Sequence, residues 1–329
     1  MSSLAAWLRR WGISFASLAG GLLTLFVFRR GLPTVSWIVG YVLLLWLLVA
    51  LLVQARDTLE SSGRPAHRLV LTATEYTIQT LYHGVLLFLL PPYWASTTLA
   101  SPNVIVLALL VVLVLLATFD PWYRAVVYPR PWLGHVFFLV SVFAALNLAL
   151  PLIGVPPFAA LMLAAWMAVV ALTPAVRRAR GWRWLTGLAV TAVVGATAAV
   201  AAGRWCVLVP PVPMFLARGE LGWTLGSIDS LEPVPGAIHG SELQERGLVA
   251  RTAIYAPAGL RQPVEHVWRR QGRTVDVMRL TVVEGGRREG FRTFSRKGSF
   301  PANPVGRWSV DVVTGSGQLI GRVPFRVVP

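Results

Sequence analysis

The sequence predicts a multi-pass α-helical membrane bundle of about seven spans, followed by a small all-β, immunoglobulin-like sandwich. Three observations predict it. Among 329 residues, 55% are apolar and 13% are charged, with a mean hydropathy of +0.63; a soluble domain carries about a quarter charged residues. Of the 14 acidic residues, only Asp57, Glu60, Glu75 and Asp120 precede position 205, and the rest begin at Glu220. From Leu248 onward the long apolar runs give way to short segments in which apolar and polar residues alternate.

A span needs about 20 mostly apolar residues to cross the hydrocarbon layer. The apolar runs at 11–28, 35–53, 69–90, 103–119, 133–151, 156–174 and 185–203 meet that need. The first follows Arg9 and Arg10 but is closed by Arg29 and Arg30 with no small-residue cleavage site, so it reads as a retained anchor and not as a signal peptide.

The gaps orient the spans. Arg9 and Arg10 precede the first span; Arg56, Arg64 and Arg68 lie between the second and third; Arg124 and Arg130 between the fourth and fifth; Arg177, Arg178, Arg180 and Arg183 between the sixth and seventh. The gaps 91–102 and 152–155 carry no charge. Short Arg-rich loops stay in the cytoplasm, which predicts a cytoplasmic N-terminus and a periplasmic C-terminal domain in a bacterial inner membrane. Arg29 and Arg30 are the exception to the alternation. The same rule accounts for much of the +16 net charge without nucleic acid, for which no motif is present.

Two span faces stand out. Gly187, Thr191, Gly195, Ala199 and Gly203 recur every fourth residue in the last span, and Gly12, Ala16 and Gly20 do so in the first. Small residues at this spacing let a neighbouring helix approach closely, either inside one bundle or across a homo-oligomer. In the third span Thr72, Glu75, Tyr76, Gln79, Tyr82 and His83 fall three and four apart, on one helical face. A membrane carboxylate is costly and finds protein or water as a partner. The stripe is therefore either a proton relay or polar substrate path, or a buried hydrogen-bond cluster that fixes helix packing.

Beyond Arg204, Pro210, Pro211 and Pro213 predict a stiff exit from the membrane. The expected domains are 1–204 (helical), 205–247 (Pro-rich exit and linker) and 248–329 (sandwich). Strands are expected at 248–256, 263–270, 274–283, 290–296, 307–313 and 318–328, the last two flanking the hairpin signal Thr314-Gly315-Ser316-Gly317. Trp308, Val310 and Val312 alternate with Ser309 and Asp311, as in a half-buried antiparallel sheet.

His266-Val-Trp268, Gly272, the run Arg292 to Lys297, Gly306 to Val312, and Gly321 with Phe325 occur in order within this tail. Together they resemble a bacterial domain family of unknown function, numbered 2914 among such domains, over about 248–329. The whole chain resembles inner-membrane proteins that carry this tail. The resemblance implies an envelope address and no reaction or cofactor.

His266 and Trp268 share a strand face; the histidine is expected to be structural, and Trp268 to pack near Trp308. With Arg269, Arg270, Arg292, Arg296 and Lys297 they form the candidate periplasmic binding surface, in a tail whose excess of basic residues suits an anionic glycan, a lipid headgroup or an acidic membrane or periplasmic protein. A Walker A loop, HExxH, a GxSxG elbow and a Cys/His metal cluster are all absent from the sequence, and Cys206 is the single cysteine. The expected function is a non-enzymatic membrane protein that presents the sandwich for binding. The rival is a transporter or proton-linked protein using the third-span stripe.

Overall fold

The structure, a computed structural model, describes residues 40, 43–51, 65–227, 230–234 and 237–329. They fall into two compact units. The first takes the described residues of Met1–Pro91 with Leu107–Ala149 and Ala160–Arg204; the second takes Pro92–Val106, Leu150–Ala159 and Trp205–Pro329.

The first unit is helical. Residues 43–51 are helical and are followed in the chain by α1 (Pro65–Ala95), α2 (Val104–Thr118), α3 (Asp120–Val126), α4 (Pro131–Leu152), α5 (Pro157–Val170), α6 (Thr173–Arg180) and α7 (Trp184–Arg204). Proline opens α1, α4 and α5, where its missing N–H costs nothing and its fixed φ suits the first turn. Gly181 closes α6 in the left-handed region, at φ +64°, and returns its N–H to the carbonyls of Arg177 and Arg178. Val193, Val194 and Val200 of α7 are 52–69% exposed. A water-facing helix would carry polar residues there, whereas acyl chains accept them.

Among the described residues, three helices are long and apolar enough to cross a membrane: Pro131–Leu152, Pro157–Arg180 and Trp184–Arg204. A fourth follows if α2 and α3, bent by 105° at their junction, count as one broken span. These are the expected fifth, sixth, seventh and fourth spans, so the expectation of about seven is not supported. The expected first span and most of the second lie outside the described residues. The third is present as the 31-residue α1, but its threonines, glutamate, glutamine and histidine leave it outside that apolar set.

The small-residue face of α7 is used within the unit. Gly187, Thr191, Gly195 and Ala199 are its buried residues. A β-carbon at Gly195 would stand 3.0 Å from Trp166 of α5, and one at Gly187 would stand 3.1 Å from Cβ of Arg177 of α6. Thr191 and Thr173 join their hydroxyls at 2.7 Å. The bundle itself thus occupies this face. The corresponding face of the first span lies outside the described residues.

The described residues of the second unit hold eleven strands: β1 (Phe215–Ser227), β2 (Ser230–Pro233), β3 (Ile238–His239), β4 (Leu248–Tyr255), β5 (Arg261–Gln262), β6 (Val264–Arg270), β7 (Arg273–Arg279), β8 (Val283–Glu284), β9 (Phe291–Lys297), β10 (Gly306–Thr314) and β11 (Leu319–Val328). A short helix, α8 (Gly240–Arg246), precedes β4. One sheet runs β2-β1-β4-β9, a second β3-β11-β10-β6-β7, and β5 and β8 form a separate pair. Between the two large sheets lie two apolar clusters: in one, Trp223 of β1 and Leu248 and Ala250 of β4 pack with Trp268 of β6, Val310 of β10 and Val327 of β11, and in the other Ile254 of β4 packs with Val264 of β6, Val312 of β10 and Ile320 of β11.

The stretch 205–247, expected to be exit and linker, in fact contributes β1, β2, β3 and α8. Gly219 and Gly222 interrupt the side-chain alternation of β1 and hide its strand pattern. Their smallness is structural, because a β-carbon at Gly219 would overlap Val323 of the opposite sheet. Gly321 is its counterpart in β11, where an added β-carbon would overlap Cβ of Leu216. Gly321→Ala is expected to cost about 1–3 kcal/mol by overpacking, read as a lower denaturation midpoint of the purified protein with unchanged helicity.

Candidate functional site

The polar stripe of α1 faces the α2–α3 break. Gln79 is buried and donates from Nε2 to the Ala117 carbonyl (3.2 Å) and to Asp120 Oδ1 (2.6 Å). The bend at Phe119 removes the following turn that would take up such carbonyls, and Gln79 supplies a donor in its place. His83 is buried one turn away, with Nδ1 2.9 Å from Thr118 Oγ1. Thr118 already spends its hydroxyl proton on the Val114 carbonyl at 2.7 Å, so His83 Nδ1 carries the proton of this bond. Tyr82 is buried, its ring 5.5 Å from that of Phe137. Tyr76 is 45% exposed and stands apart from this cluster.

Glu75 is half-buried, and its charge reaches Tyr123 and Tyr128. At 1.5 Å per residue, Gln79 sits about 24 Å from the Ala95 end of α1 and about 21 Å from its Pro65 end, so the stripe lies around the middle of the helix. Asp120 was not singled out by the sequence, because nothing in a linear reading brings residue 120 to residue 79. Gln79→Leu removes both hydrogen bonds, and is expected to lower the melting temperature of the detergent-solubilised protein by a few degrees, a loss of about 1–3 kcal/mol. An unchanged melting temperature would deny these bonds a packing role.

The residues chosen in the tail do not form one surface. His266 is fully buried in β6, where it bridges the two sheets: Nε2 lies 2.9 Å from Thr252 Oγ1 of β4, and Nδ1 lies 2.7 Å from Ser295 Oγ of β9. Burial holds its pKa down at about 4, so it is neutral at physiological pH. Trp268 is also fully buried and donates its indole N–H to the same Ser295 hydroxyl at 3.2 Å. Both belong to the core, since even-numbered residues of β6 point between the sheets.

The basic residues divide by strand parity. Arg269, on the outer face of the five-stranded sheet, pairs at 3.0 Å with Asp311. Asp311 is 2% exposed and also accepts two bonds from Arg322, at 2.6 and 2.8 Å. Arg270 donates to the Val305 carbonyl at 2.9 Å and lies over the Trp308 ring. Lys297 faces inward and is 7% exposed, its ammonium 2.8 Å from Asp276 and its charge over the Phe300 ring. That ammonium holds the Asp276 carboxyl below its ordinary pKa.

Arg292 and Arg296 remain, both on the outer face of the four-stranded sheet, and the strand register builds a lattice around them. Arg218, Ala253 and Arg292 form one cross-strand row; Glu220, Arg251 and Phe294 form the next; Gly222, Val249 and Arg296 form the third. Neighbouring strands lie about 4.8 Å apart, so Arg218 and Arg292 stand roughly 10 Å from one another with only the methyl of Ala253 between them. The result is a cleft of about 440 Å³ lined by Arg218, Glu220, Arg251, Thr252, Ala253, Glu289 and Arg292.

The cleft is charged throughout. Arg218 Nε lies 2.5 Å from Glu220, which also accepts from Arg251 Nε at 3.1 Å. The Arg251 guanidinium, with Arg218 beside it, holds the Glu220 carboxyl below its ordinary pKa. Arg292 pairs with Glu289 at 2.9 Å. Phe294 is 45% exposed beside Arg251. The sequence reading missed Arg218, Glu220 and Arg251. The signal available was the i, i+2 pair Arg218 and Glu220, which places both on one strand face.

Among the described residues no group of three or more His, Cys, Asp or Glu side chains is placed to hold a metal ion. Residues 1–250 match the model of a family of unknown function (DUF5924), and residues 261–327 match that of a protein of unknown function (DUF2914). The tail is therefore the DUF2914 domain that its motifs resemble. No curated protein and no solved structure matches the chain.

Proposed function

We propose that this chain, which belongs to the DUF5924 family of unknown function and carries a C-terminal DUF2914 domain, is a non-enzymatic inner-membrane protein that presents its β domain in the periplasm to bind an envelope component. The observation that carries this reading is the outer face of the β2-β1-β4-β9 sheet. Arginines from three strands, one aromatic ring and a cleft converge there, whereas the other candidate residues are spent inside the domain.

Topology supports the address. The uncharged interhelical stretches 92–106 and 150–159 belong to the same compact unit as the β domain, and Arg322 Nη1 donates to the Ala100 carbonyl at 3.1 Å. By the positive-inside rule, loops without Arg or Lys lie on the outer side, and the β domain goes with them. The strand order supports the immunoglobulin-like reading. With β1, β4 and β9 as strands A, B and E, and β11, β10, β6 and β7 as G, F, C and C′, the sheets run A-B-E and G-F-C-C′, with β2 added at the A edge and β3 at the G edge.

A photo-crosslinking residue placed at Phe294 in living cells tests the reading. Adducts with an envelope molecule are expected from Phe294 and not from Val277, which is 50% exposed on the other sheet. Equal labelling at both positions, or none at either, would sink it. A second reading, a transporter or proton-linked protein, rests on the polar stripe of α1, where buried Gln79 and His83 meet Asp120 and Thr118. Glu75→Gln tests it: normal expression with unchanged proton flux in vesicles would end that reading.

A further inference from the structure

We propose that the cleft over Ala253 receives one carboxylate-bearing sugar unit of an acidic polysaccharide. This rests on the reading that the same sheet face meets an envelope component, and it names the chemistry of that component.

The lining decides the class. Three guanidiniums (Arg218, Arg251, Arg292) and two carboxylates (Glu220, Glu289) leave one net positive charge in the cleft. That excess matches a ligand unit with a single carboxylate. A phosphate dianion carries more charge than the cleft neutralises, and would lie against two carboxylates. A neutral sugar would leave that positive charge unmatched.

The two glutamates become useful when the ligand has hydroxyls. Ionised carboxylates only accept hydrogen bonds, and a sugar ring offers several donors. Arginine forks take a carboxylate in bidentate fashion. Both glutamates already hold arginines in place, so the guanidiniums are pre-positioned and partly ordered before a ligand arrives. An acidic peptide brings carboxylates but few hydroxyl donors for Glu220 and Glu289.

Shape agrees. Ala253 is the small member of its row and gives the cleft its floor, between Arg218 and Arg292. A volume of about 440 Å³ falls in the range of small-molecule sites. The neighbouring row presents the exposed ring of Phe294, an apolar surface against which the C–H face of an adjoining sugar can lie.

The test uses the full-length protein in lipid nanodiscs, titrated calorimetrically with a galacturonate hexamer. A neutral glucan hexamer, inorganic phosphate and a glutamate hexapeptide serve as comparison ligands. The galacturonate oligomer is expected to bind, to weaken as salt is raised because its contacts are partly exposed, and to lose about tenfold in affinity in Arg292→Gln. Ala253→Leu, which fills the floor, is expected to abolish binding. Each variant is compared at matched melting temperature, and Arg292→Gln carries the test if Ala253→Leu folds poorly. The proposal is overturned if the uronate does not bind, if Arg292→Gln binds it as well as the parent, or if phosphate or the glutamate peptide binds more tightly. Phe294 adducts in cells together with no uronate binding would overturn this proposal alone; absence of both would remove the broader reading too.

Discussion

Trp268→Ala should destabilise the β domain by about 3–5 kcal/mol, the cost of deleting a fully packed indole from a core. Trp268 is completely buried. Its ring meets Phe300 and Phe325 edge-on at 6.2 Å each. Phe325 in turn stacks on Trp308, whose indole N–H is taken by the Pro304 carbonyl at 2.7 Å. Removing Trp268 empties the centre of this aromatic group and strips a donor from Ser295. Since small domains have only about 5–15 kcal/mol in hand, most of the domain's stability is at stake. The measurement is denaturant unfolding of the full-length protein in nanodiscs, followed by near-ultraviolet circular dichroism. Trp268→Phe should recover most of the loss, keeping the ring contacts but not the hydrogen bond, which is worth about 1 kcal/mol. A Trp268→Ala protein that unfolds at the parent's midpoint would contradict the packing described.

Acid should destabilise the same domain through His266. Its pKa is pushed down to about 4 by burial, below the ordinary value of about 6.5 that it regains on unfolding. The unfolded chain therefore binds the proton more readily. The histidine's contribution is complete above pH 6.5 and is lost as pH falls toward 4, because protonation draws the equilibrium to the unfolded state. Between pH 7 and pH 5 the loss amounts to about 2 kcal/mol. His266→Gln should flatten this limb of the stability profile while lowering stability at neutral pH, since Thr252 and Ser295 then lose the ring that joins them. A parent profile that is flat between pH 5 and pH 7 would show that His266 is protonated at no cost in the folded state.

Much of the β domain was legible from local pattern. The strands β10 and β11 alternate apolar and polar residues, Gly315 and Gly317 mark the hairpin between them, and β4, β6 and β9 stand out as short segments between Gly-bearing breaks. β1 was not legible. Its glycines break the alternation because Val323 of the opposite sheet crowds Gly219 and Leu231 and Glu232 of β2 crowd Gly222, which are facts about neighbours and not about the segment. In the helical region, the apolar runs over α4, α5 and α7 announced themselves by length and composition. The run over α2 ended at 119, where Asp120 and Pro121 follow, but that a second helix resumes there after a bend of 105° was not legible.

Parity explains the divided outcome at the candidate surface. In β9, Arg292, Phe294 and Arg296 share one face, whereas Thr293, Ser295 and Lys297 share the other, so a cluster that looked continuous in sequence splits across the sheet. His266, Trp268 and Lys297 went inward, and Arg269 met the buried Asp311.

By itself, the sequence determined the division into an apolar helical region and a β tail, and the family of the tail. These follow from composition and period, which each segment carries alone. Only the tertiary structure decided that Gln79 answers the α2–α3 break, that His266 ties two sheets together, and that Arg218, Arg251 and Arg292 surround Ala253. Those arrangements depend on strand register and helix pairing, which set residues far apart in the chain a few ångströms apart in space.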